Sequence, residues 1–160
     1  MKRDESTEKI PSAEVPLALG VLPELIGRQL RLAQLRAFKD YAMEVEGASL
    51  TPGSFEALEL LDCNPGLGQT RLATAIGLDK SSMVPMIARL ESLELVKRAA
   101  SSIDKRAIEL RITAKGRRTL RVLRAYVRER DKQMTQGMNR SEIDTLNRLL
   151  KRVAQANGQS

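Results

Sequence analysis

The sequence has no histidine and no tryptophan, a single cysteine at Cys63, and only two phenylalanines and two tyrosines. The absence of histidine removes the commonest metal ligand and the commonest general base, and one cysteine excludes a disulfide within the chain. The sequence also offers no nucleophile with an acid–base partner and no cluster of metal ligands. We therefore expect neither an enzyme nor a metal or other cofactor.

Long hydrophobic runs are missing as well. No apolar stretch approaches the roughly 20 residues of a membrane-spanning helix, and the polar residues 1–16 lack the apolar core of a signal peptide. The resulting expectation is a cytoplasmic protein. The 160 residues suit one domain, whose core must come from Leu, Ile, Val, Ala and Met because aromatic residues are so few.

Positive charge is abundant and concentrated in one segment. Residues 97–124 hold ten Lys and Arg side chains against Asp104 and Glu109, a local balance of +8, whereas the remaining residues hold 17 basic and 18 acidic side chains. A cationic segment on a near-neutral body indicates a surface for a polyanion such as nucleic acid. A solvated helix face has the same composition, so charge alone leaves both interpretations open.

The first part of the chain divides into an arm and two helices. Residues 1–16 are polar, contain two prolines and are predicted to be a flexible arm or a tail that wraps around a dimer partner. Apolar residues then recur at helical spacing from Leu22 to Val45. Thr51, followed by a proline, marks the start of a second helix, which the turn residues 64–66 end. Cys63 lies at the end of this helix, on what the spacing predicts to be its buried inner face.

The next stretch carries a helix-turn-helix pattern. It combines a short helix from Gln69 to Ile76, a Gly77-Leu78 turn, and a helix that Asp79 can cap and that runs to about Leu93. Small exposed side chains on the second helix would let it sit deep in a major groove. An ordinary helical hairpin is the alternative. The residues predicted to contact DNA from this motif are Gln69, Thr70, Lys80, Ser81, Ser82, Val84, Pro85 and Arg89.

Two alternating segments then predict a two-stranded wing. Leu95–Ala100 and Ala107–Thr113 alternate apolar and polar residues on either side of a polar, positively charged tip. Beside a recognition helix, this tip would bring Lys105 and Arg106 near the adjacent minor groove, with Asp104 orienting Arg106. A charged surface hairpin is the alternative interpretation.

The last third predicts two helices with apolar stripes. Thr113 can cap a helix from Ala114 to about Gln136, and Ser141 can cap another that continues to about Val153. A single small lobe could not cover both stripes, so a symmetric dimer is the expected arrangement, with a closed monomeric bundle as the alternative.

The order of these elements resembles the MarR family. The resemblance rests on LTPGSFEALELL, on QTRLATAIGLDKSSMVPMIARLESLELVKR, on the wing tip DKRA and on ITAKGRR, and it extends over about residues 17–156. It implies a mainly α fold with a small β-wing, in which 51–112 form a winged helix-turn-helix lobe and 17–48 and 114–156 form the helical dimerisation region. It also implies a homodimer on a palindromic DNA operator, with Lys80 to Arg89 in the major groove and Arg106 in the minor groove.

Two positions depart from the family pattern. Pro85 stands where the family more often has a polar or basic residue, and proline inside a helix removes a backbone hydrogen bond. Glu94 stands where the family usually has glycine, although a left-handed backbone is expected there.

The segment GRQLRLAQLRAFKDY resembles the first helix of MarR members that control aromatic-acid catabolism, including that of hydroxycinnamates, some of which sense aromatic acyl-CoA thioesters. The resemblance implies a small anionic aromatic effector. Arg31 is the first candidate contact, because arginine keeps its charge when partly buried. Further candidates are Arg28, Gln34, Arg36 and Tyr41. An arginine on a long helix also commonly forms a surface or dimer salt bridge.

These patterns predict a DNA-binding transcriptional regulator. The resemblance to the MarR family implies that it is a repressor and that a small effector releases it from its operator. Two alternatives stay open. One is an effector-independent architectural DNA-binding or RNA-binding protein, and the other is a redox sensor that acts through Cys63.

Overall fold

The computed structural model describes residues 17–39, 43–45, 47–100 and 108–156, and the chain divides into two units after Lys39. The first unit contains a 3-10 turn at Leu22–Glu24 and helix α1 at Ile26–Ala37. Within the described residues of this unit no side chain is fully buried.

The second unit contains all the other elements. They are β1 (Met43–Val45), β2 (Ala48–Leu50), α2 (Pro52–Cys63), α3 (Gln69–Ile76), α4 (Lys80–Ser92), β3 (Val96–Ala100), β4 (Ile108–Ile112), α5 (Ala114–Met134) and α6 (Arg140–Ala156). β1 pairs with β2 and β3 pairs with β4, both antiparallel. The predicted fold class, mainly α with a small β-wing, is confirmed. In the part of the chain that the structure describes, no helix is both long and apolar enough to cross a membrane.

The prediction of one helix from Leu22 to Val45 was wrong. α1 ends at Ala37, and the chain then forms the β1–β2 hairpin, in which Gly47 takes a positive φ of 75° at the turn. Met43 lies opposite Leu50, and each side chain is 1% exposed. The segment forms strands because the two-residue period of a strand places both side chains in the core of the second unit. β1 packs there against α5.

The core of the second unit lies between α2, α3, α4, the β3–β4 sheet and the first half of α5. Thr51 caps α2, its side-chain oxygen accepting from the Ser54 N–H at 3.2 Å, as the sequence predicted. The helix-turn-helix turn also forms as predicted, because Gly77 ends α3 with a φ of 77°. The core side chains include Leu58, Leu61, Leu72, Met83, Ile87, Leu90, Leu110, Leu120 and Leu123.

Glu94 and Leu95, which follow α4, contact the start of α5 and form a short junction with it. Glu94 has a φ of 59°, which confirms the expected left-handed backbone at a residue other than glycine. Thr113 Oγ1 donates to the Glu94 carbonyl at 2.7 Å and accepts from the Gly116 N–H at 2.9 Å, so it caps α5 as predicted. A Cβ at Gly116 would overlap the Leu95 carbonyl oxygen, so this helix can approach the junction only with glycine at that position.

Helix α6 begins differently from the prediction. Asn139, not Ser141, provides the cap: its Oδ1 accepts from the Glu142 N–H at 3.1 Å, and Glu142 Oε2 accepts from the Asn139 N–H at 2.7 Å. This reciprocal pair satisfies two backbone donors at once, which a serine inside the first turn cannot do.

Candidate nucleic-acid interface

The start of α4 is held by Asp79. Its Oδ1 accepts from the Ser82 N–H at 2.8 Å and from Ser81 Oγ at 2.7 Å. These bonds, the one from the Ser81 hydroxyl first, hold the pKa of Asp79 below its ordinary value. The recognition helix therefore starts from a fixed, charged cap, and the hydroxyl proton of Ser81 is already used within it.

The two faces of α4 separate as the sequence predicted. Met83, Ile87 and Leu90 are fully buried and attach the helix to the core. The opposite face is exposed from Lys80 to Arg89, about three turns of helix, and combines cations with small side chains. Its exposed predicted contacts are Lys80, Ser81, Ser82, Val84, Pro85 and Arg89.

Pro85 lies inside α4, yet the helix continues on both sides of it from Lys80 to Ser92. Proline has no N–H, so the Ser81 carbonyl does not receive the usual bond from four residues ahead. The ring is exposed on the same face as Val84. This face therefore presents an apolar patch that is suited to contact a thymine methyl group.

The first residues of α3 lie beside the wing. Gly68, the N-cap residue, forms a bridge with Glu109 and supplies no side-chain cap to α3. Thr70 is exposed, whereas Gln69 is half-buried and its Oε1 accepts from Arg98 Nη1 at 3.1 Å. Sequence reasoning selected Gln69 and Thr70 but missed Arg98, because 29 residues separate Arg98 from Gln69.

The wing has the predicted strands. β3 and β4 pair from Val96 opposite Ile112 to Ala100 opposite Ile108. The predicted tip residues Asp104, Lys105 and Arg106 lie outside the described residues, and their contacts with DNA stay a prediction.

Most of the described cations in residues 97–124 are paired, which the sequence count did not show. Of the eight cations of this segment that the structure describes, five form ion pairs with acidic side chains, and four of the five acidic partners lie outside the segment. The pairs are Arg98–Glu91, Arg111–Glu109, Lys115–Glu94, Arg117–Asp62 and Arg124 with both Glu59 and Asp62. Among the described residues of the segment, Lys97, Arg118 and Arg121 have no ion pair. The local balance of +8 therefore overstates the charge available to a polyanion.

The pairs between α2 and α5 form a compact network. Arg124 donates to both oxygens of Glu59, at 2.7 and 3.1 Å, and to Asp62 at 3.0 Å, while Arg117 donates to Asp62 at 3.1 Å. These hydrogen bonds, those to Glu59 first, raise the pKa of Arg124. Spacing could have revealed this network, because residues three apart on α2 and seven apart on α5 each share one helix face.

The predicted effector residues lie in the first unit. Arg28 is half-buried, whereas Arg31, Gln34 and Arg36 are exposed on α1. Tyr41 lies outside the described residues. An effector pocket around these residues stays a prediction.

Cys63 corrects another expectation. Its side chain is exposed at the end of α2 and is not part of the core. The inner face of α2 is instead formed by Ala57, Leu58 and Leu61. Cys63 is five residues beyond Leu58 and so falls outside that stripe.

Known proteins share both the sequence and the fold. The family model of the MarR family matches residues 50–108. A Thauera aromatica protein, described as a candidate transcriptional regulatory protein for the hcr operon, is 33% identical over 138 residues, which cover 86% of this chain and 83% of that protein.

Two solved structures extend the likeness. The transcriptional repressor CouR bound to a 23-mer DNA duplex has a TM-score of 0.79 and 38% identity, over 88% of this chain and 99% of that one. CouR bound to p-coumaroyl-CoA has a TM-score of 0.76 and 36% identity, over 87% and 98% of the two chains. The wing, the helix-turn-helix and these likenesses agree, and the chain belongs to the MarR family of transcriptional regulators.

Proposed function

We propose that this regulator is a repressor that binds a palindromic DNA operator as a homodimer. The exposed face of α4 carries the proposal, because its cations and small side chains are presented on a helix whose other face is locked into the core by Met83, Ile87 and Leu90. In this proposal Lys80 to Arg89 enter the major groove, and Lys105 and Arg106 reach the minor groove, with Asp104 orienting Arg106. The DNA-bound structure of CouR supports the same use of this fold.

Exposed apolar side chains support the homodimer. α6 leaves Leu146, Leu149, Leu150 and Val153 between 36% and 44% exposed along one side. α1 carries Ile26 and Leu35 on its exposed surface. We assign residues 17–48 and 114–156 to the dimerisation region and 51–112 to the DNA-binding lobe. A two-fold axis would then separate two recognition helices by about 34 Å, one turn of DNA.

The proposed effector is a small anionic aromatic acid or its acyl-CoA thioester. CouR, at 36% identity, is known with p-coumaroyl-CoA bound. Carboxylates and phosphates need a cation that stays charged in a pocket, and α1 offers Arg28, Arg31 and Arg36, with Gln34 and Tyr41 as polar neighbours. We place Arg31 first among these contacts.

The DNA-binding proposal is tested by selection from a random duplex library. The selected duplexes are expected to share a palindromic consensus. Binding of this consensus by Arg89→Ala and by Arg106→Ala is then measured by mobility shift across a salt series. Each variant should weaken binding and lower the salt slope by about one, because each removes one phosphate or groove cation. Arg152→Ala, on the exposed surface of α6, is the matched control. Recovery of RNA, or of duplexes without a common sequence, would favour the architectural or RNA-binding alternative.

The effector proposal is tested on the selected operator by titration with p-coumaroyl-CoA, free p-coumarate and free coenzyme A. Release by the thioester or the acid, and not by coenzyme A, is the expected result. Arg31→Ala should bind DNA normally and require more effector for release. If none of the three compounds changes operator affinity, effector control by p-coumarate and its thioester is excluded.

A redox role for Cys63 is the second candidate, since its thiol is exposed and accessible to oxidants. It predicts that a mild thiol oxidant releases wild-type protein from DNA but not Cys63→Ser. Equal behaviour of the two proteins would remove this candidate.

A further inference from the structure

The guanidinium of Arg98 joins three elements of the DNA-binding lobe that are distant in sequence. Its Nε donates to Glu91 Oε2 at 3.1 Å, and its Nη1 donates to Gln69 Oε1, also at 3.1 Å. Arg98 lies in the middle of β3, opposite Leu110 on β4. One side chain therefore connects the wing, the last turn of α4 and the first residue of α3.

The contact with Arg98 determines the orientation of the Gln69 side-chain amide. A guanidinium has donors and no acceptor, so the amide must direct its oxygen toward Arg98 and its NH2 group away from it. Within the described ranges that NH2 group has no hydrogen-bond partner. Gln69 thus presents two donors next to the exposed Thr70, at the start of the helix that precedes the recognition helix.

The charge of Arg98 is already engaged by Glu91, and the ion pair is partly exposed, at 41% and 30% for the two side chains. Such pairs contribute little to folding stability. We therefore expect the contact between Arg98 and Gln69 to orient the Gln69 side chain. It should add little to the stability of the lobe, and Arg98 should not neutralise a phosphate.

We propose that Arg98 is a positioning residue for DNA binding, which holds Gln69 Oε1 so that the Gln69 NH2 group donates to a phosphate of the operator backbone. This inference rests on the proposed DNA-binding function. The ligand group is anionic, because a pair of N–H donors beside a hydroxyl suits a phosphate oxygen.

A double-mutant cycle on the full-length protein tests this positioning. In the wild type, Gln69→Ala should weaken operator binding about tenfold, the loss expected for a hydrogen bond to a charged group. In an Arg98→Met background, which keeps the aliphatic stem and removes the fork, Gln69→Ala should weaken binding by less than about twofold. Lys97→Met is the matched control, because it removes one charge from the neighbouring position of β3 and should leave the full effect of Gln69→Ala.

The Gln69 side-chain amide signals of the free, 15N-labelled protein provide a readout that needs no DNA. They are identified by their loss in Gln69→Ala and should shift in Arg98→Met but not in Lys97→Met. Unmoved signals, or additive effects of Arg98→Met and Gln69→Ala on operator affinity, would overturn the positioning role. Failure of the wild type to bind any selected duplex would instead refute the proposed function.

Discussion

The DNA-binding lobe and helix α6 place their apolar side chains differently. In the lobe, α4 buries Met83, Ile87 and Leu90 completely, and its exposed face is cationic or small. In α6, the apolar residues share one side of the helix just as regularly, yet Leu149 remains 44% exposed. The same helical pattern thus has two outcomes: α4 buries its apolar side within its own unit, whereas α6 keeps an exposed apolar side, which is the surface that we propose for the dimer.

The largest effect is expected where burial is complete. Leu90→Ala should lower the free energy of unfolding by about 2–5 kcal/mol, because it removes buried methyl groups and leaves a cavity under the recognition helix. Urea denaturation at a fixed protein concentration measures this loss. Ala88→Ser, on the exposed face of α4, should change stability by no more than about 0.5 kcal/mol. Equal effects of the two changes would contradict the division of α4 into two faces.

The second effect concerns association of the chain. Leu149→Lys combined with Leu150→Lys should raise the dimer dissociation constant by at least about 100-fold, since each copy loses two apolar contacts. Sedimentation velocity over a concentration series measures it, with Arg152→Gln on the exposed surface of α6 as the control. A dimer as tight as the wild type would exclude this side of α6 from the interface.

A smaller effect, of opposite sign, is expected at the junction between the lobe and α5. Glu94 holds a φ of 59°, so Glu94→Gly should raise the free energy of unfolding by about 1 kcal/mol by removing the left-handed strain. Lys115→Met removes only the exposed ion pair with Glu94 and should have almost no effect. If Glu94→Gly destabilised the protein, the side chain of Glu94 would contribute more than its backbone costs.

The smallest effect is the pH dependence of the α4 cap. Folding lowers the pKa of Asp79 below its ordinary 3.8, so the contribution of the carboxylate is present above that value and is lost as the pH falls through the folded-state pKa. The thermal midpoint of Asp79→Ala should therefore lie below that of the wild type at pH 7, and the gap should narrow as the pH falls below about 4. A gap that persists unchanged to pH 3 would show that the charge of Asp79 does not stabilise α4. Asp144→Ala, on α6, should show no comparable change because Asp144 is not a helix cap.

The helix-turn-helix and the wing strands were predictable because each is specified locally. Asp79, Thr113 and Gly77 are cap and turn residues at the ends of apolar periods, and the structure uses each of them as predicted. The β1–β2 hairpin was not predictable in the same way. The residues of this hairpin also fit a helical period, and only the contact of Met43 and Leu50 with the core decides between a helix and a strand.

Charge shows the limit of sequence reasoning most clearly. The sequence by itself determined that ten cations are concentrated in residues 97–124 and that a winged helix-turn-helix carries several of them. Only the tertiary structure decided that Arg98, Arg117 and Arg124 meet carboxylates from α4 and α2. The reason is physical: caps and periods act over a few residues, whereas an ion pair depends on distance in space, which chain folding sets independently of separation in sequence.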